Sequence, residues 1–171
     1  MDAAKPQHAG ESPKAGVLFV CLGNICRSPL ARAVFEDLIM RRGVPHLFDV
    51  DSCGTGGWHV GGGADPRTIA VARRYGIALR HTARQLSPAA DFDRFTTIVA
   101  MDRKNRDDIL AAGGPIASVR LMRSFDPALQ GRPESDLDVP DPYYGTGDGF
   151  ETVYHMLTAA SEGLLEHLQR R

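Results

Sequence analysis

The chain predicts an α/β fold of three layers, a parallel sheet covered by helices on both faces, and two observations carry that prediction. Strand-like and helix-like segments alternate along nearly all of the 171 residues, which implies right-handed crossovers between strands running the same way. The segment from Thr96 to Met101 is almost continuously apolar and β-branched, as in a strand buried on both faces.

Val17, Leu18, Phe19 and Val20, bounded by Gly16, read as the first strand. Ser28 and Pro29 signal a helix start, with the proline at the first helical position, where its missing N–H costs nothing. Leu30, Val34 and Leu38 then recur every four residues, and Gly43 closes the helix. Phe48 to Cys53 is a second strand. Asp65-Pro66 opens a helix carrying Ile69, Ala72 and Tyr75, which Gly76 ends. After the Thr96–Met101 strand, a charged helix runs from Asp102, as its cap, toward Ala112 and stops at Gly113-Gly114. Val119 to Met122 gives a fourth strand. Asp148 with Glu151 three residues on resembles a capping box, opening a helix with Phe150, Val153, Tyr154, Leu157, Leu164 and Leu168 on one face.

With 43% hydrophobic residues, residues 15–171 form one domain large enough to bury a core. Residues 1–14 are polar, contain Pro6 and Pro13, and read as a disordered extension with no apolar stretch of the kind a secretion signal needs. Nothing resembles an apolar membrane span of about 18 residues or more. A net charge of −1, with no tract concentrating the 20 Lys and Arg, argues against nucleic-acid binding. Three cysteines, an odd number, suggest a reducing, cytoplasmic setting, although export by a route without a signal stays open. No Cys/His spacing suits zinc, and no nucleotide-binding Gly-x-x-x-x-Gly-Lys-Ser/Thr loop is present, so no metal or organic cofactor is expected.

The most informative segment is Val20-Cys21-Leu22-Gly23-Asn24-Ile25-Cys26-Arg27-Ser28-Pro29, which joins the first strand to the first helix. A loop entering a helix this way can aim the amides of Leu22, Gly23, Asn24, Ile25, Cys26 and Arg27 at one point and make an anion site with the helix dipole. Arg27 adds a fork matched to two phosphate oxygens. Cys21 lies beneath that anion, where the same donors stabilise a thiolate. The chemistry implied is attack by sulfur on phosphorus. The plainer alternative is a buried structural Cys21 beside an incidental Cys26 and a surface Arg27, since a lone Cys-x5-Arg arises by chance. In parallel sheets ligands bind beyond the carboxyl ends of the strands, where Cys21 falls.

The whole string resembles the signature loop of the low-molecular-weight protein tyrosine phosphatases. About 120 residues downstream, Val139-Pro140-Asp141-Pro142-Tyr143-Tyr144-Gly145 is similar to that family's acid loop. An isolated Asp-Pro would be an ordinary turn; here two prolines stiffen the mount of an acid that must meet a leaving oxygen. The segment Asp51-Ser52-Cys53-Gly54-Thr55 followed by Trp58, His81-Thr82-Ala83-Arg84-Gln85-Leu86, and Met101-Asp102 extend the resemblance over most of residues 16–170. It implies a four-stranded, flavodoxin-like sheet of the phosphotyrosine phosphatase I-like kind. It further implies Cys21 as nucleophile, Arg27 as phosphate clamp and Asp141 as acid. Ile25, Trp58, Tyr143 and Tyr144 would wall the substrate pocket, although a core role for Trp58 or the tyrosines is the alternative. Trp58 lies among glycines, a loop setting. Asn24, Ser28 and His81 would support the loop, His81 by hydrogen bonds through Asn24 or Ser28. A catalytic part for Asp102 is weak. In the family, a neighbour such as Cys26 can form a reversible disulfide that protects the nucleophile.

The resemblance thus implies a monomer that hydrolyses phosphotyrosine in protein substrates through a cysteinyl-phosphate and releases inorganic phosphate. Three rivals are weighed against it. Arsenate reduction on the same loop needs later relay cysteines, and none follows Cys53. Protein arginine phosphatases of the same family tend to carry threonine where Ile25 stands, whereas Ile25 narrows the floor for a flat aryl group. A non-catalytic phosphotyrosine-binding module would not need nucleophile, arginine and acid together.

Overall fold

A computed structural model describes residues 12–171. The expected extension over residues 1–14 lies outside the described residues except for Ser12, Pro13 and Lys14, which are exposed coil. Four parallel strands, β1 (Ala15–Cys21), β2 (Phe48–Gly54), β3 (Thr97–Ala100) and β4 (Val119–Leu121), stand in the order β2-β1-β3-β4. Around them lie α1 (Arg27–Arg41), α2 (Pro66–Arg74), α3 (Pro88–Arg94), α4 (Arg103–Ala111) and α5 (Gly149–Gln169). The architecture is the three-layer, flavodoxin-like sandwich expected from the sequence.

β1 shows why the sheet takes two helical layers. Its side chains alternate faces: Val17, Phe19 and Cys21 pack against Leu30, Val34 and Leu38 of α1, Val71 of α2 and Leu157 and Leu164 of α5. Leu18 and Val20 pack the other way, with Ile98 and Ala100 of β3, Ile109 of α4 and Phe95. All of these are buried. Fully burying an apolar side chain of this size stabilises the fold by roughly 1.5–3 kcal/mol, so a strand buried on both faces carries a large share of the core.

The elements match the sequence reading with four differences. α1 begins at Arg27 with Cys26 as its cap, so Pro29 is the third helical residue and not the first, and the Ser28 hydroxyl is engaged elsewhere. The box expected at Asp148 does not form: no side chain caps α5, and Glu151 instead binds Arg74 Nη1 at 2.5 Å and the Tyr75 hydroxyl. Tyr75 is the residue after α2, half-exposed and stacked on Tyr154 at 3.9 Å, not part of an apolar helix face. α3 has only seven residues and no apolar repeat, so periodicity could not reveal it.

Order reverses at β1, whose neighbours are β2 and β3. The Met101 amide donates to the Val20 carbonyl at 3.0 Å, so the chain leaving β3 runs beside the chain leaving β1. That junction sets the loop after β1 beside the loop after β3.

Candidate active site

Cys21 ends β1 at the carboxyl edge of the sheet and is 3% exposed. The chain then folds tightly over residues 22–26 before α1 begins. Most carbonyls of this loop are occupied by neighbouring segments. Cys21 O accepts from Thr55 N, Leu22 O from Gly56 N and Ile25 O from Asp65 N, each at 2.9 Å. The Asn24 carbonyl accepts from His81 Nε2 at 2.6 Å. Among the turn, loop and side-chain hydrogen bonds of the described residues, none is donated by an amide of residues 22–27. Cys26 also contributes no side-chain cap to α1. A loop whose acceptors are largely spent and whose amides are left without acceptors at a helix N-terminus is built for an anion.

Asn24 makes the fold of the loop possible. Its φ of 55° is the one positive value at a non-glycine among the described residues, and such strain persists only where neighbours over-determine it. Here they do: Nδ2 donates to Ser28 Oγ at 2.8 Å and Ser52 Oγ at 3.0 Å, and Oδ1 accepts from the Arg84 amide at 2.9 Å. Gly54 permits the same packing, because a Cβ there would lie 2.7 Å from the Leu22 carbonyl oxygen. With Asn24 donating into Ser28 Oγ, the serine proton is left for Cys21 Sγ at 3.0 Å or the Cys53 carbonyl at 3.3 Å. That is a hydroxyl placed to donate to a thiolate.

Arg27 is 2% exposed. Its Nη1 donates to Asp102 Oδ2 at 2.6 Å and to the Val139 carbonyl at 2.9 Å, while Nη2 lies 3.6 Å from Asp141 Oδ2. Burial opposes its charge, but Cys21, Asp102 and Asp141 outweigh burial and raise its pKa above the usual arginine value. Asp102 does two tasks, since its Oδ1 also caps α4 at Asn105 N, 2.7 Å away. Asp141 stands between its two prolines, and its Oδ1 accepts from Tyr143 N at 3.0 Å.

Burial first, then the nearby Asp65, pushes the Cys26 thiol up to about 12, and burial raises that of buried Cys53 further. All three cysteines are free. His81 is lowered below its ordinary value, mainly by burial. Its Nδ1 is buried without a partner, which suits a neutral ring donating from Nε2.

Cys21, Leu22, Gly23, Ile25, Cys26 and Arg27 form the floor of a cleft of about 510 Å³ whose rim is Trp58, His59, Asp141, Tyr143 and Tyr144. Trp58 is 73% exposed and Tyr144 86%, so both are rim residues and not core ones. The glycine-rich loop bearing Trp58 is more firmly fastened than its composition suggests: Thr55 and Gly56 bind the nucleophile loop, and Gly61 N donates to Ala83 O at 2.9 Å. The structure therefore gathers Cys21, Arg27, Asp141, Ile25, Trp58, Tyr143 and Tyr144 around one cleft, with Asn24, Ser28 and His81 behind it. Sequence reading missed His59 on the rim, Ser52 behind Asn24 and the strength of the Asp102 link. A titratable residue beside the lone tryptophan was the available sign for His59; nothing local marked the other two. No cluster of side chains suited to a metal ion occurs among the described residues, and no described helix is long and apolar enough to cross a membrane.

Comparison with known proteins follows the same lines. A family model described as low molecular weight phosphotyrosine protein phosphatase matches residues 16–171. A low molecular weight protein-tyrosine-phosphatase of Streptomyces coelicolor is 51% identical over 152 residues, covering 87% of this chain and 90% of that protein. The crystal structure of a protein tyrosine phosphatase from Entamoeba histolytica superposes with a TM-score of 0.84 at 34% identity, covering 92% of this chain and 98% of that one. An arginine phosphatase from drosophila gives a TM-score of 0.79 at 34% identity, with coverages of 89% and 96%.

Proposed function

The chain belongs to the low-molecular-weight phosphotyrosine protein phosphatase family, and from that premise we propose that Cys21, Arg27 and Asp141 hydrolyse phosphotyrosine in protein substrates. One observation supports this above the others: a thiol, a buried guanidinium and a carboxylate meet at a cleft walled by Trp58, Tyr143 and Tyr144. Aromatic walls suit a flat aryl ester.

In the first step the Cys21 thiolate attacks phosphorus. The amides of residues 22–27 and the Arg27 fork hold the phosphoryl oxygens. The bond from phosphorus to the phenolic oxygen breaks, and the Asp141 carboxylic acid gives its proton to that oxygen, since a phenolate with a pKa of about 10 leaves poorly. In the second step water attacks phosphorus and the Asp141 carboxylate takes its proton. The phosphorus–sulfur bond breaks, Ser28 Oγ donates to the returning thiolate, and inorganic phosphate departs. Neither step calls on a metal or cofactor, and every group comes from one chain, so a monomer suffices. A reducing compartment, such as the cytoplasm, suits a nucleophile that must stay a thiol or thiolate.

The test is turnover of phosphotyrosine peptides by the wild-type chain and by Cys21→Ser. The variant should lose turnover yet still bind inorganic phosphate. Appreciable turnover without Cys21 would refute the nucleophile, and preference for phosphoarginine over phosphotyrosine would refute the aryl specificity attributed to Ile25.

A further inference from the structure

Arg67 lies in the first turn of α2, outside the cleft, yet it touches both loops that meet there. Its backbone amide and Nε donate to Asp65 Oδ1 at 2.8 and 3.0 Å, and its Nη2 donates to Asp65 Oδ2 at 2.8 Å. Asp65 is itself fixed to the nucleophile loop, its amide donating to the Ile25 carbonyl at 2.9 Å. From the other side, Arg67 Nη2 donates to the Tyr143 carbonyl at 3.3 Å, and the guanidinium lies 5.5 Å from the Tyr143 ring centre and 4.6 Å from that of Phe150.

The consequence concerns Tyr143, whose two backbone groups face opposite ways. Its amide holds Asp141 Oδ1, and its carbonyl is held by Arg67. Residues 142–147 have no helix or strand, and among the described residues no other hydrogen bond ties them to another element. Arg67 thus supplies the hydrogen bond that fastens the segment after Asp141, while Arg27 and the Val139 backbone hold the segment before it. Lysine could not replace it, because the contact uses a planar fork whose Nη2 serves Asp65 and Tyr143 together while its face covers an aromatic ring.

We propose that Arg67 is a positioning residue for the proton-transfer step, setting Asp141 against the leaving oxygen by clasping Tyr143 to Asp65 and the nucleophile loop. The proposal rests on the reading of Asp141 as the acid. Arg67 touches no reacting atom; it acts through Tyr143.

The experiment compares kcat/KM for phenyl phosphate, whose leaving group needs a proton, with that for dinitrophenyl phosphate, whose leaving group does not. In Arg67→Met the phenyl ester should lose about tenfold or more, since small misplacements of a catalytic group are costly, while the dinitrophenyl ester should change by less than about twofold. Arg67→Lys, which keeps a charge beside Asp65, should lose in the same direction and less, and it serves if the Met variant folds poorly by thermal melting. Equal proportional losses on both esters, or no loss on either, would overturn the proposal. A wild-type chain that turned over neither ester would instead overturn the functional reading, so the two failures are separable.

Discussion

Arg27 and Asp102 lie 75 residues apart in sequence and 2.6 Å apart in space, and the same arginine nitrogen also holds the Val139 carbonyl. The pair joins the loop after β1 to the loop after β3 and to the segment leading into Asp141. Asp102→Ala removes both the partner of a buried charge and the cap of α4, and should destabilise the protein by about 3–5 kcal/mol in urea denaturation. Asp102→Asn keeps a capping side chain and should cost distinctly less. Both variants remove the charge, so equal stability of the two would show that the cap and a neutral hydrogen bond to Arg27 contribute nothing beyond it.

The strained backbone at Asn24 is separable from its hydrogen bonds. Asn24→Gly relieves a left-handed conformation but loses three side-chain contacts, whereas Asn24→Ala loses the contacts and keeps the strain. Alanine should therefore be the less stable by about 1–2 kcal/mol, with kcat/KM reduced in both. An alanine variant as stable as the glycine one would remove the strain argument.

His81 gives stability a pH dependence. Its pKa in the fold lies below the unfolded value of 6.5, with burial as the main cause. The fold therefore prefers the neutral ring. Its contribution is intact above pH 6.5 and is lost as pH falls from there through the folded pKa. Subtracting the stability curve of His81→Gln, whose amide does not titrate, from that of the wild-type chain should leave a difference that declines below pH 6.5. A flat difference would mean that protonation there costs the fold nothing.

Asp141→Ala tests the acid directly. Turnover of phenyl phosphate should fall by a factor on the order of 10²–10⁴, with a far smaller loss on dinitrophenyl phosphate. Matching losses on the two esters would assign Asp141 to binding and not to proton transfer.

Much of the molecule was legible in the chain itself. Alternating strand and helix patterns fixed the class, because burial on one or both faces imposes period and length on each element. The loop from Cys21 to Arg27 was legible from its strand end, a residue tolerant of positive φ and a helix start, although Ser52, His81 and Arg84, which hold Asn24, come from distant segments. The stiffness of Asp141 between two prolines is local too. Short α3 and the failed box at Asp148 were not legible, since a seven-residue helix shows no period and Glu151 finds better partners in Arg74 and Tyr75 at the end of α2.

What only the tertiary structure decided is who stands beside whom. That Asp102 anchors Arg27 follows from β1 and β3 being neighbours, and that Arg67 reaches Tyr143 follows from α2 packing on α5. Polar side chains on separate elements carry no periodic mark of their partners. Hydrogen bonds and ion pairs act over about 3–4 Å, and only the packed sheet and helices bring such groups within that range.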